Sequence, residues 1–395
     1  MIIKIFIIPL LLESLVRNHG RLNQTDFLTQ LEEVILRGDP TMDGTRTGGR
    51  FGWTDKSICD LYRGRILEGK AWEDCVPSRS DTPDAIVRSA LLGALYYRTP
   101  REMAVQVRLH ARYATGDSSV QAHSVAFASM IAALLDHPNN LALDEGLSTA
   151  LYNQAGLALP FSSLHSSSDV DPSYGIYTEP DSLLWFGQIA KGLHANPALM
   201  ALPKQSAQQG VLLYGQFCAF FATLPSAYYC AARFPNHFED AILCSVNGVG
   251  QNTMRSSLVG ALLGARVGLS GIPPRFVDGL EDSQYILELA HAVADAAIAR
   301  TNTSDAWNWP DTTDHLNGLP AGRISPQENK ESTKLVESFM ISASSKMPTV
   351  LSNDTAANQG PICLAFALGV ILALLINKGR WCHRSPSASQ YDPID

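Results

Sequence analysis

Between Asn247 and Ala265 a glycine-bearing turn, Asn247-Gly248-Val249-Gly250, runs into a segment whose small residues recur at close spacing. Gln251, Asn252, Thr253 and Arg255 stand at the junction. A turn of this kind lets backbones approach closely and gathers polar side chains at a helix N-terminus. Amide, hydroxyl and guanidinium groups in that setting suit phosphate oxygens or ribose hydroxyls, so these four are the candidate ligand-binding residues. What they lack is negative charge. Gln251 and Thr253 offer neutral oxygens, and a divalent cation is drawn far less strongly to those than to carboxylates. The other carboxylate of interest, Asp55 in Trp53-Thr54-Asp55-Lys56, is followed at once by a cation. Asp55, Gln251 and Thr253 are therefore weak metal candidates, and no functional metal site is expected.

The elements that must carry these residues read as helices. Thr99-Pro100-Arg101-Glu102 has the pattern of a capping box with Pro at the first helical position, which predicts a helix to about Tyr113. After Thr82-Pro83, residues Val87, Ala90, Leu91, Ala94 and Leu95 fall on one face. Further helices are predicted over Ser118 to Leu135, Asp181 to Leu193, Gln208 to Phe221, Phe238 to Asn247, Thr253 to Val267 and Asp282 to Ala299. Strand signals are scarce, and Pro160 to Pro180 reads as a Ser-rich surface loop. The expectation is an all-α, compact multi-helix domain over residues 1–300.

The motif segment resembles the second metal-site motif of the ADP-ribosylglycohydrolase family, a Gly-Gly-Asp-x-Asp-Thr turn opening a helix that ends in Gly-Ala-x-x-Gly-Ala. Gly260-Ala261 and Gly264-Ala265 match that ending, which puts Gln251 and Thr253 where active members carry two aspartates. Three flanking elements occur in the family's order: Leu224 to Tyr229 like the preceding helix, His237 to Ile242 like its connector, and Gly271-Ile272-Pro273 like the closing turn. The resemblance implies a hydrolase that cleaves ADP-ribose glycosidic bonds with a dinuclear magnesium centre. It implies ADP-ribose or an ADP-ribosylated substrate as partner. The family's Gly-Asp-Ala-x-Gly and Thr-Asp-Asp-Thr turns have only Gly38-Asp39-Pro40 and Thr54-Asp55-Lys56 as their nearest strings here. Asn252 followed by Arg255 is similar to a divergent branch that includes the J1-type crystallins. Hydrolysis is accordingly expected to be weak or lost. The alternative reading is a non-catalytic crystallin-like structural or interaction protein.

Elsewhere the sequence offers little chemistry. In Ala111 to Asp117, Gly116 takes the place of a family histidine, and Asp117 reads as the N-cap of the next helix. His110 and His123 lie inside helices and read as structural. No serine or cysteine sits in a nucleophile-elbow pattern. Seven cysteines, Cys59, Cys75, Cys218, Cys230, Cys244, Cys363 and Cys382, are scattered and odd in number, which favours buried free thiols. A formal charge of −8 over 395 residues argues against nucleic-acid binding.

The two ends carry apolar runs. Ile2 to Leu12 could pass for a signal segment, but Glu13 follows and no cleavage site does, so Leu10 to Val16 reads as a helix of the fold. On that reading the family's start lies before Met1. A polar linker, 301–359, leads to a candidate transmembrane helix, 360–378, whose charge-free part is 362–376, and to a short polar tail, 379–395. Such a segment is short for a bilayer core of about 30 Å. Lys378, Arg380 and Arg384 would place the tail in the cytoplasm. The expected location is a membrane anchored through this segment or the cytoplasm.

Overall fold

The computed structural model describes residues 3–49, 54–75, 77–136, 197–280 and 282–300. The expected loop at 160–180, the helix at 181–193 and everything after residue 300, including the linker and the candidate span, lie outside the described residues. Among the described residues there are thirteen α-helices and no strand, as the sparse strand signals anticipated.

They are α1 (Ile3–Arg17), α2 (Gln24–Gln30), α3 (Lys56–Tyr62), α4 (Asp84–Leu95), α5 (Pro100–Ala111), α6 (Ser118–Asp136), α7 (Pro197–Met200), α8 (Gln208–Val211), α9 (Phe220–Arg233), α10 (Phe238–Asn247), α11 (Asn252–Val267), α12 (Pro274–Asp278) and α13 (Ser283–Ala299).

The centre is α4. All its residues are buried, and it is in contact with α1, α5, α6, α11 and α13. Its most extensive partner is α6, an apolar helix whose stretch Ser118–Leu135 would be long enough to cross a membrane but is 89% buried inside the fold. The two approach so closely that a Cβ on Gly93 would lie 2.5 Å from the Ala128 carbonyl oxygen of α6. Only glycine fits there. Each fully buried Leu or Ile along these helices contributes about 2 kcal/mol of transfer free energy, and α4 alone carries Ile86, Leu91, Leu92 and Leu95.

The apolar N-terminal run belongs to this core. Ile7, Ile8, Leu10, Leu11, Leu12 and Leu15 of α1 are buried, and α1 packs on α13. Arg300, just past α13, secures that arrangement: it donates to the Gly20 carbonyl at 2.8 Å, pairs with Glu102 at 3.1 Å and lies over the Tyr96 ring.

Helix starts follow the sequence with two exceptions. Asp117 caps α6 as expected, accepting the Val120 N–H at 3.0 Å. Thr99 occupies the N-cap position of α5 without a side-chain capping bond, so the capping box does not form. Its hydroxyl turns back to the Tyr96 carbonyl instead, at 3.4 Å. The single helix expected from Gln208 to Phe221 is broken: α8 passes into a 3-10 turn, Leu212–Tyr214, and ends at Gly215, whose φ of 94° no right-handed helix can continue. A new helix, α9, begins at Phe220, where the Phe220 N–H donates to the Asp81 carbonyl at 2.6 Å.

Candidate active site

Two helix starts from distant parts of the sequence face one small cavity. Asp55 sits at the N-cap position of α3 in extended conformation. Asp84 and Arg88, one turn apart on α4, lie opposite, and Met254 enters from the first turn of α11. Ile7, Ile8, Ser57, Ile58 and Val87 complete the wall. The cavity measures about 20 Å³, room for about one water.

The charged wall is held firmly. Thr82 Oγ1 donates to Asp84 Oδ2 at 2.6 Å, and Arg88 Nε donates to the Asp84 backbone carbonyl at 3.4 Å. Arg88 is wholly buried; desolvation brings its guanidinium down to about 10, with the negative charges of Asp84 and then Asp55 opposing the shift. Asp55 itself is 8% exposed. It is neither a solvated carboxylate nor a side-chain cap, since it makes no capping bond at α3. Lys56 does not line the cavity; its ammonium donates to the Arg79 carbonyl at 3.4 Å.

The start of α11 follows the glycine-bearing turn, and of its residues Met254 reaches the cavity wall. Val249 and Gly250 both take left-handed backbone, with φ of 57° and 68°, and a Cβ on Gly250 would meet Gln216 Cα at 2.7 Å. Gln251 occupies the N-cap position of α11 without a side-chain capping bond, and Asn252 opens the helix. Both are half-buried, whereas Thr253 is completely buried. Its carbonyl accepts the Ser257 hydroxyl at 2.8 Å.

Arg255 is 1% exposed and faces inward, not onto an outer helix face. Its Nε and Nη2 donate to the Ser245 carbonyl at 3.1 and 2.9 Å, and Nη2 donates to the Val249 carbonyl at 2.5 Å. It thereby adds to the 3.4 Å bond that the Gly248 N–H makes to the Ser245 carbonyl, and ties the strained turn to the last turn of α10. Ser245 and Ser256 hydroxyls, 3.0 Å apart, add a second link between the two helices.

The structure thus brings Asp55 to the same cavity as the start of α11. Asp39, in the other candidate string, is buried elsewhere and accepts the Thr41 amide and hydroxyl at 3.0 and 2.6 Å in a local turn. Asp84 and Arg88 were not legible as site residues. Their signal is an Asp and an Arg four apart inside a run of Ala, Ile, Val and Leu, a pair that must be buried if the helix is. His110 and His123 are structural, as expected of them. His110 packs edge-on against Phe27, with centroids 4.7 Å apart, and His123 Nδ1 lies 2.8 Å from the Ser119 carbonyl.

The described residues thus form an all-helical scaffold in which Asp55, before α3, and Met254, in the first turn of α11, line one cavity. The sequence model of the ADP-ribosylglycohydrolase family matches residues 9–303, and the chain belongs to that family. No curated protein matches it.

Proposed function

We propose that this chain is an ADP-ribosylglycohydrolase-like protein in which magnesium-dependent hydrolysis is weak or lost. The observation that carries this reading is the uncharged start of α11. Gln251 and Thr253 stand where the family's resemblance calls for aspartates, Thr253 is fully enclosed, and the side chain that reaches the cavity from α11 is the thioether of Met254. Magnesium takes hard oxygen ligands in near-octahedral geometry, and a thioether is a soft donor. With Arg88 already beside Asp55 and Asp84, these residues do not fit a dinuclear magnesium centre.

ADP-ribose or a related nucleotide remains the proposed ligand. Gln251 and Asn252 are the part-exposed polar groups that would meet a phosphate or ribose hydroxyl. Arg255 would act through the turn it holds, and Thr253 through the backbone of the first helical turn. The small volume of the cavity favours a second reading, a crystallin-like structural protein with no nucleotide site. The location, in a membrane through residues 362–376 or in the cytoplasm, belongs to the same proposal.

Calorimetric titration of the full chain with ADP-ribose, with and without magnesium, separates the two readings. Binding that is indifferent to magnesium and weakened by Gln251→Ala or Asn252→Ala supports the nucleotide reading. Absence of heat in both conditions favours the structural one. Release of ADP-ribose from a modified protein, stopped by a chelator, would overturn the loss of hydrolysis.

A further inference from the structure

Two cysteines that neither the family resemblance nor the site uses meet in the core behind the motif turn. Cys230 of α9 and Cys244 of α10 place their Sγ atoms 3.0 Å apart, about one ångström beyond the ~2.05 Å of a disulfide bond. Both are reduced. The other buried thiols are held differently: Cys59 points at the Thr45 and Thr54 carbonyls and Cys75 at that of Lys70. Scattered spacing in the sequence gave no sign of a pair, because the contact is created by the antiparallel return of α10 along α9 through the short turn at 234–237.

We propose that Cys230 and Cys244 are an oxidisable dithiol, a modification site that hydrogen peroxide converts to a disulfide locking α9 to α10. Cys244 is 4% exposed and Cys230 not at all, so the small oxidant reaches Cys244 first. The Cys244 sulfur, on losing its proton, attacks one peroxide oxygen; the O–O bond breaks, a sulfenic acid forms, and the departing hydroxide takes up a proton as water. The Cys230 sulfur then attacks the Cys244 sulfur, its proton and the sulfenic hydroxyl leaving as a second water. Two thiols and one peroxide give one disulfide and two waters, with the peroxide reduced by two electrons. Burial, and then the hydrogen bond to Cys244, hold the Cys230 thiol well above its ordinary value, with the Arg255 guanidinium the smallest and only opposing influence, so the second step is the slower one.

The pair is also placed to matter. Cys244 adjoins Ser245, whose carbonyl Arg255 grips, so a covalent tie at Cys244 fixes the helix end from which the motif turn departs. A cross-link closing a loop of this length constrains the unfolded chain, and a rise of several degrees in melting temperature is expected.

The test is thiol mapping of the full chain, purified under reductant, exposed to hydrogen peroxide and then alkylated in denaturant. The expected result is loss of two hydrogens and a cross-link between the tryptic peptides that end at Arg233 and Arg255, placed on Cys230 by fragment ions because the first peptide also holds Cys218. The rise in melting temperature should disappear on adding dithiothreitol. Recovery of Cys230 and Cys244 as alkylated thiols while other cysteines are oxidised would overturn the proposal, as would a cross-link from either to a different cysteine. In Cys244→Ser the cross-link should vanish with Cys230 left alkylated. Should that variant fail to fold, the wild-type map still decides.

Discussion

The two walls of the cavity solve the problem of a buried charge in opposite ways. On the α3/α4 side Asp55 and Asp84 face Arg88 across the site, so charge is answered by charge. On the α11 side Arg255 does not line the cavity and is answered by backbone carbonyls, leaving Met254 at the wall. The difference teaches that a fold can hold one buried cation against carboxylates at a cavity and another against backbone carbonyls within its packing.

The sharpest way to break this contrast is to remove the cation on each side, Arg88 at the cavity and Arg255 behind it. Arg88→Met should cost about 3–5 kcal/mol of stability, because it leaves two buried carboxylates facing each other. Urea denaturation would measure it, and a loss below about 1 kcal/mol would mean that Asp55 and Asp84 do not depend on Arg88. Arg255→Met should cost less, about 2 kcal/mol, since it removes hydrogen bonds to the neutral carbonyls of Ser245 and Val249, the first of which keeps the Gly248 N–H, and strands no charge. Equal losses for the two variants would erase the distinction between the walls.

A smaller effect follows from His110, which lies behind the charged wall with both ring nitrogens buried and unbonded. Burial first, and the positive charge of Arg88 second, hold its imidazole well below the ordinary 6.5. The unfolded chain therefore takes up a proton below about pH 6.5 that the folded chain refuses. Stability is fully present above that pH and falls as the pH drops, by about 2 kcal/mol between pH 7.5 and pH 5 if His110 acts alone. His110→Leu should flatten that part of the curve; an unchanged slope would show that other groups set it.

Much of the helical frame was legible because its signals are local. Pro100 at a helix start, Asp117 before α6 and the Gly-Ala spacing of α11 all announce themselves within a turn or two of sequence. The break at Gly215 was not legible, because a lone glycine in an apolar run states its permission for positive φ and not its use of it. Thr99 showed a capping pattern that lost to a competing carbonyl. Arg255 read as a ligand or a surface residue, since the carbonyls it binds exist only once α10 has ended beside it. In the same way Asp55 could be found but not its surroundings: Asp84, Arg88 and Met254 reach it only through the crossing of α4 with α11. The site's membership is a tertiary fact, and the sequence carried only its two ends.

The closeness of α4 and α6 at Gly93 has a consequence for how the molecule responds to change at a distance. Asp84 stands nine residues away at the other end of α4, about 13 Å along the axis. A methyl group at position 93 would force α4 to pivot off Ala128, and a rigid helix converts displacement at one end into rotation at the other. The carboxylate and guanidinium of the cavity therefore sit at the far arm of a lever whose fulcrum is a missing side chain.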